Sequence, residues 1–116
     1  MNHITELKIE DLIQGSGTAV KKGGALVTAH YRGYLTDGRE FDSSYERGEP
    51  FQVVLSRNKV IAAWVEGLQG MQVGGKRRLL VPAHLGYGER GFGSKIPPHA
   101  NLIFEIELLE VLNRDA

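Results

Sequence analysis

The residues of this chain best suited to chemistry are a carboxylate and an aromatic ring that stand side by side. Asp42 directly follows Phe41 near the end of the segment YRGYLTDGREFDSS, residues 31–44. The pair Asp37-Gly38 divides this segment and tolerates the positive φ that tight hairpin turns require. The segment therefore predicts a β-hairpin whose outgoing strand ends with an aromatic ring and an acid.

The other aromatic residues bear on the purpose of this acid. The chain has one tryptophan, four tyrosines and four phenylalanines: Tyr31, Tyr34, Phe41, Tyr45, Phe51, Trp64, Tyr87, Phe92 and Phe104. An apolar cavity with a few convergent polar groups is the usual form of a small-ligand site. Asp42, and Tyr87 in a glycine-rich loop, favour such a cavity, whereas each ring taken alone is more simply explained as core.

Two glycine-rich stretches imitate nucleotide-binding motifs. Residues 70–76 fit the first part of the phosphate-binding P-loop, but Arg77 stands where Ser or Thr would hold magnesium. Residues 86–91, GYGERG, fit a dinucleotide fingerprint that needs a strand before it and a helix after it. Pro82 before this stretch and residues 93–98 after it oppose both elements. We therefore interpret both stretches as turns.

Neither the histidines nor the basic residues indicate a metal or anion site. The four histidines show no metal-ligand spacing, so we predict no metal and no cofactor: His3, His30, His84 and His99. The run Lys76-Arg77-Arg78 is expected to be the solvated start of a strand, since the net charge of the chain is zero. Zero net charge also removes the basic surface expected of a nucleic-acid binder.

Length and composition bound the class of protein. The 116 residues predict a single domain, residues 1–116, with a core that needs no metal or disulfide. There is no cysteine, which excludes thiolate chemistry and suits a reducing compartment. The sequence shows no signal peptide, no membrane-spanning run of about 20 apolar residues, and no dimerisation helix before the domain. We therefore expect a cytoplasmic monomer that binds neither nucleic acid nor membranes.

The elements that must position these residues are mostly strands. Alternating or clustered apolar residues predict strands at residues 4–13, 25–35, 51–55, 76–81 and 101–112, and residues 83–100 predict a long loop. One segment has the period of a helix instead, with a single apolar stripe made of Val60, Ile61, Trp64, Val65 and Leu68. Ser56 or Asn58 is expected to cap the start of this helix, and Gly67 or Gly70 to end it. The pattern predicts an α+β fold in which a curled antiparallel sheet packs its concave face on the helix.

The order of the sequence blocks resembles one known family, the FKBP-type peptidyl-prolyl cis-trans isomerases. Four blocks carry the resemblance between about residues 4 and 112: VTAHYRGYLTDGREFDSS, GEPFQVVLSRNKVIAAWVEGLQGMQVGGKRRLLVP, GYGERG and IPPHANLIFEIELLEV. The resemblance implies a five- or six-stranded antiparallel sheet wrapped around one short α-helix. It also implies isomerisation of X–Pro bonds in polypeptides, assistance in protein folding, macrolide binding and no cofactor.

Position by position, the resemblance also implies a binding pocket. Its wall would be formed by Tyr31, Phe41, Phe51, Val60, Ile61, Ile96 and Phe104, with Trp64 as its floor. The backbone N–H of Ile61 and the hydroxyl of Tyr87 match groups that hydrogen-bond ligand carbonyls. Asp42 matches the pocket acid, and Arg47 its ion-pair partner at the rim. Asp42 and Tyr87 are thus the catalytic candidates, although Asp42 has the alternative role of ordering Tyr31 and Arg47.

The implied chemistry needs no nucleophile. Rotation about a peptide bond costs about 18–20 kcal/mol, because resonance stiffens the C–N bond. An aromatic, water-poor pocket is expected to weaken that resonance and to bind the twisted amide preferentially. Two other classes are alternatives. One is a binding module that uses the same pocket, or the exposed glycine-rich loop, without turnover. The other is a folding chaperone, which in this family typically has a domain inserted in the loop before Pro97, where this chain has none. Ala63 in place of a common glycine, and Lys95 at an often apolar rim position, put ligand preference in question.

Overall fold

The structure of the chain is a computed structural model that describes residues 4–114; of the histidines above, His3 lies outside them. Its six strands are β1 (Lys8–Ile13), β2 (Leu26–Leu35), β3 (Glu40–Ser43), β4 (Phe51–Val54), β5 (Lys76–Val81) and β6 (Leu102–Leu112). The helices of the described residues are α1 (Ser44–Arg47), α2 (Ala62–Gly67) and one 3₁₀ turn at Ala83–Leu85.

The strands form one antiparallel sheet in the order β1-β5-β6-β2-β3, and β4 also pairs with β2. β2 and β6 are paired along their whole length, from Leu26 opposite Leu112 to Leu35 opposite Leu102. On its other edge β2 pairs first with β4 and then with β3, which lie end to end along it. The predicted curled antiparallel sheet with a short helix is confirmed. This arrangement leaves Tyr31 of β2 at the junction between β3 and β4.

The core lies on one face of the sheet because side chains alternate along the two central strands. β2 buries Val27, Ala29 and Tyr31, while its intervening residues are partly or fully exposed. β6 buries its apolar positions in the same way, with Leu102, Phe104, Ile106 and Leu108 at 3% exposure or less. Helix α2 covers this face with Trp64, and Leu68 directly after the helix adds to the cover; both are buried. The predicted periods of these segments are confirmed.

Helix α2 is shorter than its apolar stripe. It begins at Ala62 after Ile61, whose backbone is extended and whose side chain makes no capping bond. The predicted caps at Ser56 and Asn58 are wrong, because these side chains bond each other at 2.5 Å and the Ser56 carbonyl closes a separate turn with Val60. The predicted end at Gly67 is confirmed. Extended residues can therefore continue a helical stripe when they face the same core.

Helix α1 was not predicted, since a single turn is too short to show a period. The Ser43 side chain accepts a hydrogen bond from the N–H of Glu46 at 3.3 Å, which caps its first turn. Gly48 ends it with φ of 76°, and its N–H donates to the Tyr45 carbonyl. This turn carries Arg47 toward Asp42 at the end of β3.

The prediction that Lys76-Arg77-Arg78 is a solvated run is wrong for Arg77. The Arg77 side chain is only 9% exposed and forms two hydrogen bonds to the Asp11 carboxylate, at 2.7 and 3.3 Å. Its Nη1 also donates to the carbonyls of Gly67 and Gln69 at the end of α2, at 2.9 and 3.0 Å. Arg77 lies opposite Asp11 in the pairing of β1 with β5, so the sheet register creates the ion pair.

Both glycine-rich stretches are turns, as predicted. Residues 70–75 connect α2 to β5, so a helix precedes the P-loop-like segment and a strand follows it. Residues 86–91 follow the 3₁₀ turn and lead into a loop rather than a helix. Neither α-helix of residues 4–114 has the length and apolar composition needed to span a membrane.

Candidate functional site

A cavity of about 120 Å³ opens between the concave face of the sheet and helix α2. The residues that line it are Tyr31, Phe41, Asp42, Phe51, Lys59, Val60, Ile61, Trp64, Tyr87 and Phe104. Every predicted site residue except Arg47 and Ile96 is in this lining. They come from β2, β3, β4, β6, α2 and two loops, so the folded sheet is needed to bring them together. Ala63 is fully buried but does not line the cavity, so its methyl does not crowd the floor.

Aromatic rings that meet edge to face form the floor and the walls. The indole of Trp64, 3% exposed, lies 5.1 Å from the ring of Tyr31 and 5.8 Å from that of Phe104, each at 89°. Phe51 closes the set at 5.9 Å from Trp64. Edge-to-face pairs at these separations are favourable beyond simple burial, because the positive ring edge meets the negative face. The cavity floor is therefore rigid and apolar.

A missing side chain at Gly33 makes room for one wall. Gly33 lies on the buried face of β2, where a Cβ would stand 2.5 Å from Cζ of Phe41 and 3.1 Å from Cε1 of Phe104. The two rings meet in that space at 5.6 Å. We did not single out Gly33 from the sequence, although a glycine at an inward strand position indicates a close approach.

Asp42, Tyr31 and Arg47 form a hydrogen-bonded group at the mouth of the cavity. The Tyr31 hydroxyl donates to Oδ2 of Asp42 at 2.5 Å, and Arg47 donates to Oδ1. A second Arg47 nitrogen donates to the Tyr31 hydroxyl at 3.1 Å. Oδ1 also accepts from the N–H of Ser43 at 2.9 Å. Arg47 thus contacts the acid from outside the cavity, as expected of a partner at the rim.

This group holds Tyr31 in its neutral form. Burial and the hydrogen bond to the Asp42 carboxylate together raise the pKa of Tyr31 to about 12, and the lowering effect of Arg47 is smaller. A charged phenolate would be desolvated there and would face a negative carboxylate. The Tyr31 hydroxyl therefore stays a hydrogen-bond donor whose acceptor is Asp42.

Two donors at the cavity have no acceptor within the described residues. One is the hydroxyl of Tyr87, which forms no hydrogen bond with residues 4–114. The other is the backbone N–H of Ile61, which precedes the first turn of α2 and likewise has no partner in that range. Burial raises the pKa of Tyr87, and the nearby Asp42 carboxylate adds to the shift, so this hydroxyl also keeps its proton. Both donors are available to a ligand.

Ile96 lies in the next cavity rather than in the aromatic one. It is 4% exposed and lines a space of about 380 Å³ shared with Phe41, Asp42 and Tyr87. Lys59 lines the aromatic cavity and was not predicted; its only signal was its position directly before Val60. Within the described part of the chain, no group of three His, Cys, Asp or Glu side chains could hold a metal ion.

Comparisons with known proteins identify related chains. A family model described as FKBP-type peptidyl-prolyl cis-trans isomerase matches residues 17–109. The FK506-binding protein of Neisseria meningitidis serogroup A is 51% identical over 105 residues, which cover 90% of this chain and 95% of that protein. FK506-binding protein 1 of Saccharomyces cerevisiae is 45% identical over 105 residues, covering 90% of this chain and 92% of its own length.

Solved structures with the same fold include two longer chains. The crystal structure of FkpA from Escherichia coli superposes with a TM-score of 0.82 at 42% identity over 92% of this chain. The match covers 48% of FkpA, so this chain corresponds to about half of it. A peptidyl-prolyl cis-trans isomerase from Pseudomonas syringae superposes with a TM-score of 0.80 at 37% identity, covering 90% of this chain and 74% of that one.

Proposed function

Because this chain belongs to the FKBP-type peptidyl-prolyl cis-trans isomerases, we propose that its aromatic cavity is where it isomerises X–Pro bonds. The observation that carries the proposal is the convergence of Trp64, Tyr31 and Phe104 on one small apolar space with two unpaired donors beside it. A prolyl ring is apolar and compact, and its flanking carbonyls need donors. The substrates are proline-containing polypeptides, whose folding the enzyme assists.

The cavity accelerates rotation by favouring the twisted amide. The planar amide is stabilised by charge-separated resonance, which water strengthens and which gives the barrier of about 18–20 kcal/mol. In an aromatic space that excludes water, this stabilisation is weaker, so the planar ground state loses more than the twisted state does. Shape complementarity to the twisted state lowers the barrier further. No covalent intermediate is formed.

The two unpaired donors position the substrate. The N–H of Ile61 and the hydroxyl of Tyr87 would each donate to a carbonyl next to the prolyl bond. Only the Tyr87 donor can be removed by a simple substitution, because Tyr87→Phe deletes the hydroxyl and leaves the ring. The Ile61 N–H belongs to the backbone and stays whichever side chain is present, except in proline.

Asp42 acts as a positioning residue in this proposal. Its two oxygens are engaged by Tyr31, Arg47 and the N–H of Ser43, which supports a role in fixing the wall. A carboxylate acting directly on the amide would have to leave these partners. We therefore assign to Asp42 the orientation of Tyr31.

Macrolide binding at the same cavity is a second part of the proposal. Two of the relatives are named FK506-binding proteins, and an apolar cavity with two free donors suits a ligand with carbonyl groups. Such a ligand should compete with the peptide, so the macrolide should raise the apparent KM for an X–Pro peptide without changing kcat. An inhibitor that lowered kcat alone would place the macrolide elsewhere.

We further propose that the protein works as a cytoplasmic monomer without nucleic-acid or membrane partners. Zero net charge supports the absence of general attraction to polyanions, and the lack of cysteine suits a reducing compartment. Sedimentation of the purified chain and localisation of a tagged copy are the direct tests. A stable dimer, or a copy found in an oxidising compartment, would contradict this part.

The site assignment is tested by three substitutions and one control. Trp64→Leu, Phe104→Ala and Tyr87→Phe should each lower kcat/KM on a capped X–Pro peptide by about tenfold or more, which corresponds to about 1.4 kcal/mol of lost transition-state binding. Tyr45→Phe is the matched control for Tyr87→Phe, because its hydroxyl bonds Glu107 at 2.8 Å outside the cavity. Full kcat/KM in all three variants would mean that catalysis occurs elsewhere.

A further inference from the structure

Two larger spaces flank the aromatic cavity. One, of about 380 Å³, shares Phe41 and Tyr87 with it and is also lined by Lys95. The other, of about 540 Å³, shares Tyr87 and Lys59 with it. Phe92, 5.1 Å from the ring of Tyr87, lines both flanking spaces and stands between them. Both spaces adjoin the central cavity, so each can receive residues that flank a proline bound there.

Each flanking space contains one lysine whose charge is not compensated. Lys59 and Lys95 are exposed, and neither ammonium group forms an ion pair or hydrogen bond with any residue in the described range 4–114. The neighbouring arginines are engaged differently. Arg47 is paired with Asp42, and Arg57 with Glu66 at 3.1 Å.

The acids near these spaces leave the lysine charges largely unopposed. Asp42 is neutralised by Arg47, and Glu40 is paired with Arg32 at 3.4 Å. Two nearby acids form no ion pair within the described residues: Glu46, which lines an outer space together with Lys95, and Glu89, in the loop that carries Tyr87. Each of the two flanking spaces nevertheless presents one lysine without an ion-pair partner among residues 4–114, in a protein with no net charge.

We infer that the enzyme favours substrates with an acidic residue flanking the X–Pro bond, and that Lys59 and Lys95 are the residues that set this preference. The inference rests on the proposed function of the aromatic cavity. The two lysines do not contact the X–Pro bond itself. They attract acidic side chains of the substrate that flank this bond. An exposed ion pair of this kind changes binding by about two- to fivefold.

The test compares charged and neutral peptides of equal size. Capped Ala-Ala-Pro-Phe peptides would carry Glu or Gln at the position before proline or at the position after it. Cis–trans exchange would be measured by NMR at equilibrium, since a coupling protease would add its own charge preference. We expect kcat/KM for at least one Glu peptide to exceed that of its Gln partner about two- to fivefold at 20 mM salt. The ratio should approach one at 500 mM salt because screening weakens exposed pairs.

Variants identify the residues responsible. Lys59→Gln should lower the kcat/KM ratio of Glu to Gln peptides at one of the two positions, and Lys95→Gln should lower it at the other. Glu46→Gln should raise the ratio that Lys95→Gln lowers. Lys22→Gln, an exposed lysine in a distant turn, should leave every ratio unchanged. A wild-type ratio of one or below, with both peptides turned over, would overturn the inference while leaving the isomerase site intact. Ratios unmoved by both lysine variants would overturn it as well. Absence of turnover for all peptides would reject the proposed site itself.

Discussion

Replacement of Arg77 by methionine is expected to destabilise the fold by about 3–5 kcal/mol, mostly through two carbonyls that lose their donor, although Arg77 does not line the aromatic cavity. Methionine keeps the length and the apolar stem but donates no hydrogen bond. The carbonyls of Gly67 and Gln69 would lose the donor that now lies at 2.9 and 3.0 Å. A buried acceptor left unsatisfied costs about 1–3 kcal/mol; the bond to Gly67 is buried and the bond to Gln69 is partly buried, so Gly67 should account for the larger part.

The ion pair with Asp11 contributes the smaller share. The Asp11 side chain is 40% exposed, so water can replace the guanidinium there, and the loss should stay below about 1 kcal/mol. Asp11→Asn is therefore expected to be mild. The contrast between the two substitutions separates the cost of the abandoned carbonyls from the cost of the lost charge pair.

The assay is urea unfolding followed by the fluorescence of Trp64, the only tryptophan, which lies on the helix whose end Arg77 holds. Arg78→Met is the matched control, since Arg78 is the next residue along β5 and pairs with Glu105 at 3.0 Å while 36% exposed. We expect it to cost less than about 1 kcal/mol. If Asp11→Asn costs as much as Arg77→Met, or if the Arg78 and Arg77 variants are equally stable, the explanation by the two carbonyls is refuted.

Three further outcomes are expected. Gly33→Ala should lower the free energy of unfolding by about 1–3 kcal/mol through overpacking, and it should lower kcat/KM because the new methyl displaces Phe41. Gly38→Ala is the control. At a φ of 94° with open space around it, it should lower the free energy of unfolding by about 1 kcal/mol without changing kcat/KM. An equal effect of both glycine variants on activity would contradict this. The free energy of unfolding should fall as pH rises from 10 to about 12, because Tyr31 keeps its proton in the folded state and loses it in the unfolded chain. The slope of the free energy against pH should be smaller in Tyr31→Phe. An equal slope would show that Tyr31 does not cause the fall. Asp42→Asn should keep about tenfold more kcat/KM than Asp42→Leu, because asparagine retains an acceptor for Tyr31. Equal losses would show that activity depends on the negative charge of Asp42 and not on its hydrogen bond with Tyr31.

The central strands were predictable because their burial is local and periodic. Residues 26–35 and 102–112 alternate in sequence and alternate in burial. β1 differs, since all six of its residues are exposed and only pairing with β5 defines it. The start of α2 was not predictable from period alone, because Val60, in a bend, and Ile61, in extended conformation, continue the helical stripe before the helix begins.

The aromatic residues of the site were predictable, but the division between the aromatic cavity and the neighbouring cavity of Ile96 was not. The inward positions of Tyr31 and Phe104 follow from alternation, and that of Trp64 from the helical stripe. The separation of Ile96 from the aromatic cavity depends on the path of the loop, which no period encodes. Burial of Arg77 depends on the register of β1 with β5, and a run of three basic residues gives no sign of it.

The position of β6 has a consequence for how this enzyme is made. β6 is the last strand of residues 4–114, yet it lies between β5 and β2 in the sheet and supplies Phe104 to the cavity. During synthesis, β2 (residues 26–35) cannot pair with β6 until residues 102–112 have been made. Such long-range pairing is slow, and it exposes unpaired strand edges until it is complete. A protein that assists the folding of other chains can thus pair β2 with β3 and β4 early, but it completes its own sheet only after residues 102–112 have been made.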